Sequence, residues 1–296
     1  MCGIVGLFLK TPELRPQLGA LLARMLTVMG DRGPDSAGFA VFADARPDRV
    51  KFTLRAPDGF DFIALADELR TVLDCTVELA PQGTHAVLSV PARCASELRA
   101  HVARLAPRAA IVGYGNRMEL YKDVGAPADV AQRLGLADMS GTHAVGHTRM
   151  ATESAVTIDG AHPFSTGRDQ CLVHNGSLSN HNVVRRELVR AGMTFATEND
   201  SEVAAGYLTL RMRNGRSLRE ALGDAVADLD GFYTFVVGTE TGFAVLRDPI
   251  ACKPAVLAET DAYVAFGTEY RALAELPGID RARLWEPAPA TVYVWS

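Results

Sequence analysis

MCGIVGLF, residues 1–8, sets a cysteine directly behind the initiator methionine and follows it with glycine and a short apolar run. The run is short and glycine-bounded, as strands are. If methionine aminopeptidase removes Met1, as a small second residue favours, Cys2 carries both a thiol and a free α-amine. A free thiol has a pKa of ~8.5 and an α-amine one of ~7.7 to 8.0, so the amine can accept the thiol proton near neutral pH. That is the N-terminal nucleophile arrangement, in which nucleophile and base share one residue. On Cys2 alone, a small residue that merely follows methionine is the commoner explanation, so the distant residues such a cysteine would need decide the matter.

Composition narrows the setting. The chain has 296 residues, 48% apolar and 22% charged, with a net charge of −5. That describes an ordinary globular protein rather than a disordered, nucleic-acid-binding or membrane chain. No positively charged segment followed by an apolar core opens the chain, and no apolar run approaches the ~18 residues that cross a bilayer, so a cytoplasmic location is expected. The five cysteines, Cys2, Cys75, Cys94, Cys171 and Cys252, are scattered and lack CxxC spacing. Neither a disulfide framework nor a metal site is expected, and the four beyond Cys2 read as small buried hydrophobes. His143 and His147 share one face of an apparent strand, without the further ligands a metal would need.

Short apolar stretches at 3–8, 37–43, 143–148, 170–174, 232–238, 243–247, 254–257, 262–267 and 291–295 read as strands. Helical periodicity appears at 16–29, 127–134, 179–191, 201–213 and 217–227. Runs of strands separated by paired helices predict a layered α+β architecture. Residues 51–116 stand apart: KFTLRA, FDFIALADELRTVL, CTVELA, HAVLSV, CASELRAHVARLA and AAIVGYG read as β-α-β-β-α-β, the order of a ferredoxin-like unit, here inserted into a larger domain.

Four further motifs carry possible chemistry. DRGPDSAGFAV (31–41) is a Gly-Pro-Asp turn holding Arg32 and leading into a strand. GHTRMAT (146–152) sets Arg149 at a strand end, where its planar fork suits a substrate carboxylate or a surface ion pair. CLVHNGSLSNH (171–181) contains Asn175-Gly176, which alone would signal a hairpin. The residues after it fit a helix, however, which would leave the Asn amide and the Gly N–H at a strand end as donors to an oxyanion. ATENDSEVAAGYL (196–208) reads as an Asn199/Glu202 capping box with Asp200 in the first turn, a carboxylate that could bind an ammonium group.

Taken in order, MCGIVG, RGPDSAG, GHTRMAT, AHPF, HNGSLSNH and TENDSEV resemble the class II glutamine amidotransferases, the N-terminal nucleophile glutaminases. The resemblance spans nearly the whole chain, 2–296, outside the 51–116 insertion, and continues through LRDPIACKPAVL and AFGTEYRAL. It implies a four-layer αββα sandwich and carries roles over residue by residue. Cys2 matches the nucleophile, Asn175 and Gly176 the oxyanion hole, Arg149 the residue that holds the glutamine α-carboxylate, and Asp200 the one that holds its α-ammonium. Arg32 matches the loop arginine that orders the nucleophile, and Thr152 and His162 line the site. Where many synthase-linked members have an aromatic residue and then Ala-Thr-His after GHTR, this chain has Met150, Ala151, Thr152 and Glu153.

The resemblance is nearest to the stand-alone amidotransferase-type subunits of split glutamate synthase-like complexes, such as N-methylglutamate synthase. It implies L-glutamine as substrate and separate synthase subunits as ammonia acceptors, since the sequence shows no synthase domain. It further implies FMN and an iron–sulfur cluster on those subunits, whereas no cofactor is expected in this chain. Two alternatives stay open: an amidase for another γ-glutamyl or amide substrate, and a non-catalytic regulatory subunit that uses the insertion as its ligand or partner module.

Overall fold

The computed structural model describes residues 2–151 and 156–296. Its first strand, β1 (Gly3–Leu9), is apolar throughout because both of its faces are covered. Val5, Leu7 and Leu9 enter a core closed from outside by helix α1 (Leu18–Val28), while Ile4 enters a different core, shared with a second sheet. Successive strand side chains point to opposite faces, so one short run serves two cores.

β1 sits inside a seven-stranded antiparallel sheet. On one side it pairs with β14 (Tyr263–Gly267), beyond which lie β13 (Val256–Glu259) and β15 (Arg283–Trp285). On the other side it pairs with β8 (His143–Arg149), followed by β2 (Ser36–Phe42) and β7 (Met118–Val124). The second sheet runs β16 (Val292–Trp295), β12 (Phe243–Arg247), β11 (Gly231–Thr239), β10 (Gln170–Leu178) and β9 (Phe164–Gly167). Ile4, Phe42 and Val145 of the first sheet meet Val173, Val236 and Phe243 of the second. Helix α1 and α4 (Pro127–Arg133) cover the first sheet, and α5 (His181–Arg190), α6 (Asp200–Arg213) and α7 (Leu218–Asp228) cover the second. This is the four-layer αββα sandwich.

A third, four-stranded antiparallel sheet has the order β4 (Glu78–Gln82), β5 (His85–Pro91), β3 (Arg49–Arg55), β6 (Ala110–Gly115). With α2 (Phe62–Leu73) and α3 (Ala95–Leu105) it closes its own core around Phe52, Leu69, Leu88 and Leu98. Its exit is fastened to the sandwich by Asp169, whose buried carboxylate accepts the backbone N–H groups of Asn116, Arg117 and Met118 at 2.7, 2.8 and 2.9 Å.

Several elements differ from the sequence reading. β7 was not predicted, because MELYKDV carries three charged residues; Lys122 is nonetheless buried, its ammonium donating to the carbonyls of Asp159 and Ala161. Asn175-Gly176 lies within β10 rather than at its end: the strand continues to Leu178, paired with Gly231, because β11 supplies partners that the local sequence does not announce. Asn199 caps α6 by accepting from Ser201 N, but Glu202 does not complete a capping box. Its carboxylate instead accepts from Ala196 N and Thr197 N, a turn further back. Cys94 and Cys171 are buried and Cys75 is half-buried, but Cys252 is exposed, in the turn that follows β12. Among the described residues no helix is long and apolar enough to cross a membrane.

The spacing of the two central sheets depends on Gly6. A Cβ there would stand 2.5 Å from the Phe243 ring, closer than real contacts allow. Gly6→Val should therefore lower stability by ~1–3 kcal/mol through overpacking, read as a shift of the denaturant midpoint without a change in slope.

Candidate active site

Strand register gathers the site. Gly3 pairs with Thr148, and Ala37 pairs with the same Thr148 from the other side. The antiparallel pairing therefore brings Cys2, Arg149 and the loop before β2 to one end of three adjacent strands. That loop is packed too tightly for any side chain at Gly33, where a Cβ would lie 2.4 Å from the Thr148 carbonyl carbon. Asp35 then holds the end of β8 twice: its N–H donates to Arg149 O (3.1 Å), and its carboxylate accepts from Ala151 N (2.8 Å). Arg149 is only 8% exposed, so it is not a surface arginine.

Cys2 is fixed through its backbone while its thiol faces the cleft. Arg32 Nε donates to Cys2 O (3.1 Å), and its guanidinium pairs with Glu269. Glu269 also accepts from Arg271 Nε (2.6 Å), and Arg271 reaches Asp31 (3.2 Å), giving a chain of alternating charges around the first residues. Glu269's carboxyl is held below its usual range by the two arginines, which outweigh the opposing effect of burial. The Cys2 thiol lies 3.9 Å from Met150 O.

The facing sheet supplies the rest. Asn175 Nδ2 donates to Cys2 O and to Thr268 Oγ1, both at 3.3 Å. Asp200, the first residue of α6, accepts from Leu178 N (2.9 Å) and from Ser201 Oγ (3.3 Å). Cys2, Arg32, Arg149, His162, Asn175, Gly176 and Asp200 all line one cleft of about 300 Å³. Clefts of about 390 and 570 Å³ elsewhere contain no thiol. Of the predicted site residues only Thr152 lies outside the described residues. Met150 and Asn199, named above as a departure from the family pattern and as a helix cap, also line the cleft, and His174, Ser201, Lys253 and Pro254, which were not singled out from the sequence, complete it. Nothing local distinguishes them, although LRDPIACKPAVL, which holds Lys253 and Pro254, and AFGTEYRAL, which holds Thr268 and Glu269, both lie in the stretch that continues the family resemblance.

A chain from Rhizobium meliloti named glutamine amidotransferase-like protein GlxB is 58% identical over all of this chain and 98% of its own length. The chain belongs to the glutamine amidotransferase family. The glutamine amidotransferase domain family matches residues 147–275. A putative glutamine amidotransferase from Methanothermobacter thermautotrophicus is 33% identical over 99% of both chains. Among solved structures, glutamine phosphoribosylpyrophosphate amidotransferase from B. subtilis superposes with a TM-score of 0.63 at 18% identity, over 99% of this chain and 47% of that one. The relatives show the family, and the solved structure shows the shared fold.

In this amidotransferase two of the cleft's residues, His162 and His174, and His147 behind them form a buried trio of histidines. His162 Nε2 and His174 Nδ1 meet the Ser201 hydroxyl at 2.8 and 2.9 Å, and the His147 ring stacks on His162 with centroids 4.0 Å apart. The turn before His162 is held by Lys122, whose pKa burial pushes down to about 8. Burial pushes all three histidines down, His147 to about 3, so they are neutral imidazoles. His143, whose Nε2–H donates to Thr239 O at 2.8 Å, is pushed to about 3 and His85 to about 4 for the same reason.

An unfolded histidine titrates near 6.5, so the unfolded chain binds more protons than the folded one at any pH between the two values. Stability is therefore lost as pH falls below about 6.5, by up to ~1.4 kcal/mol per pH unit for each such histidine. Thermal unfolding followed from pH 7.5 to 4.5 should show a flat midpoint above 7 and a steep decline below 6, weakened in His85→Gln.

Proposed function

We propose that the protein hydrolyses the side-chain amide of L-glutamine through a Cys2 thioester and delivers ammonia to a separate synthase subunit. The observation that carries this reading is the convergence of Cys2, Arg149, Asn175 and Asp200 on one cleft, from four segments spread over some two hundred residues. Arg149 offers a guanidinium for the α-carboxylate and Asp200 a carboxylate for the α-ammonium, which together orient an amino acid with its side chain toward the thiol.

With Met1 removed, the Cys2 amine accepts the thiol proton and the sulfur adds to the amide carbon. The oxyanion that forms is stabilised by Asn175 Nδ2 and the Gly176 N–H. The carbon–nitrogen bond breaks, the amine returns its proton to the departing nitrogen, and ammonia leaves. Water, deprotonated by the same amine, then adds to the thioester. The carbon–sulfur bond breaks, releasing glutamate and the free thiol. Arg32, held by Glu269, keeps the Cys2 backbone in place while the thiol changes partners.

Purified protein should form glutamate from glutamine, and Cys2→Ala should abolish this while keeping the fold. Asn175→Ala should lower kcat by roughly 10²- to 10³-fold. Unchanged turnover in Cys2→Ala, or retention of Met1 in the active protein, would sink the reading.

The synthase partner is supported by the relatives of matching length, which comprise little beyond this domain, and by exposed apolar side chains. Ile250 is 67% exposed, and Phe232 lies under the Lys253 ammonium that lines the cleft. The reading extends to subunits that resemble glutamate synthase domains, as in N-methylglutamate synthase, with FMN and iron–sulfur cofactors held by those subunits. The β3–β6 unit is then a ferredoxin-like insertion that docks one of them. Replacing its exposed Arg93, Arg104 and Arg108 by Glu should weaken co-purification of synthase subunits and leave glutamine hydrolysis intact; unchanged co-purification would assign the insertion no docking role.

A further inference from the structure

We infer that His147, which does not line the cleft, is the positioning residue that fixes the direction of the Asn175 amide. The inference rests on Asn175 serving as an oxyanion donor, and it names what aims that donor.

The two ends of a carboxamide have nearly the same shape, so only its hydrogen-bond partners decide which end points where. His147 Nε2 lies 3.2 Å from the His174 backbone carbonyl and 3.2 Å from the Asn175 side-chain oxygen. A peptide carbonyl can only accept, so Nε2 carries the ring proton. Being shared between two acceptors, that N–H admits Oδ1 of Asn175 but would oppose its NH₂ group. The acceptor end is thereby drawn inward, and Nδ2 is left facing Cys2 O and Thr268 Oγ1.

His147 is well suited to hold this direction. It is neutral, so it carries one proton and keeps one tautomer across the physiological range. Its plane is held by the stacked His162 ring, with 25° between the planes. Its backbone lies in the middle of the first sheet, paired with Ile4 on one side and Gly38 on the other. A donor in the rigid first sheet thus orients an acceptor in the second, two residues from the glutamine-facing end of β8. An unaimed amide would spend part of its time with Oδ1 toward the developing oxyanion, which repels it.

His147→Gln keeps a donor near the Nε2 position, whereas His147→Met fills similar space without one. With glutamine as substrate, kcat should fall roughly 10- to 100-fold in the Met variant with KM within about twofold, as part of the 10²- to 10³-fold value of an oxyanion donor is forfeited. The Gln variant should recover most of kcat. Equal losses in both variants, or a loss carried by KM alone, would overturn the inference. His147→Asn, too short to reach Oδ1, replaces the Met variant if that one does not fold. A crystal structure supplies a readout independent of turnover: without the donor, the Asn175 amide should reverse or occupy two orientations, judged from its partners. One unchanged orientation overturns the inference whatever the substrate. Absence of glutamine hydrolysis in the wild-type protein would instead count against the proposed function.

Discussion

The pairing of β1 with β8 is the constraint on which the rest depends. Because Gly3 stands opposite Thr148, the residue before the first strand and the last residue of the eighth are neighbours, and Cys2 meets Arg149. A one-residue slip would exchange the two faces of β1, sending Ile4 toward α1 and Val5 into the inter-sheet core. Both faces are buried, so both cores resist that slip. The position of the thiol is thus set by apolar packing along a strand that itself contains no catalytic group.

Around that anchor, several buried polar groups are tied to one another. Arg32 ties the Cys2 carbonyl to Glu269, and Thr268 bonds both the Ile4 backbone and the Asn175 amide. Consecutive residues after β14 therefore brace the Cys2 backbone and the amide that faces it. Below them, neutral histidines run from Asp200 through Ser201 and His174 toward His147 and Asn175. Such a network is costly if any member is left unpaired, and it makes the site sensitive to protonation from below as well as to substitution from within.

Much of the site was legible because its motifs combine residue types that lose to simpler explanations singly but not in order. Cys2, Arg149, Asn175 and Asp200 are each unremarkable; their succession is not. Other features stayed hidden for identifiable reasons. β7 holds three charges, and it is a strand only because Lys122 finds two carbonyls to serve. Asn175-Gly176 carries the local signature of a turn, and β11 overrides it by pairing straight through to Leu178. Glu269, Thr268 and His147 act on other residues rather than on a ligand, and residues of that kind have no spacing of their own.

The sequence by itself determined the alternation of buried faces, the layered class, and the inventory of polar and nucleophilic groups. These follow from local periodicity and from residue type. Only the tertiary structure decided that Arg149 is buried beside Cys2 rather than paired at the surface, that Glu202 serves the loop behind α6 rather than its cap, and that the buried His147 imidazole meets the Asn175 amide. Those outcomes depend on strand register and on desolvation, which arise when segments distant in the chain are packed together and which no single segment encodes.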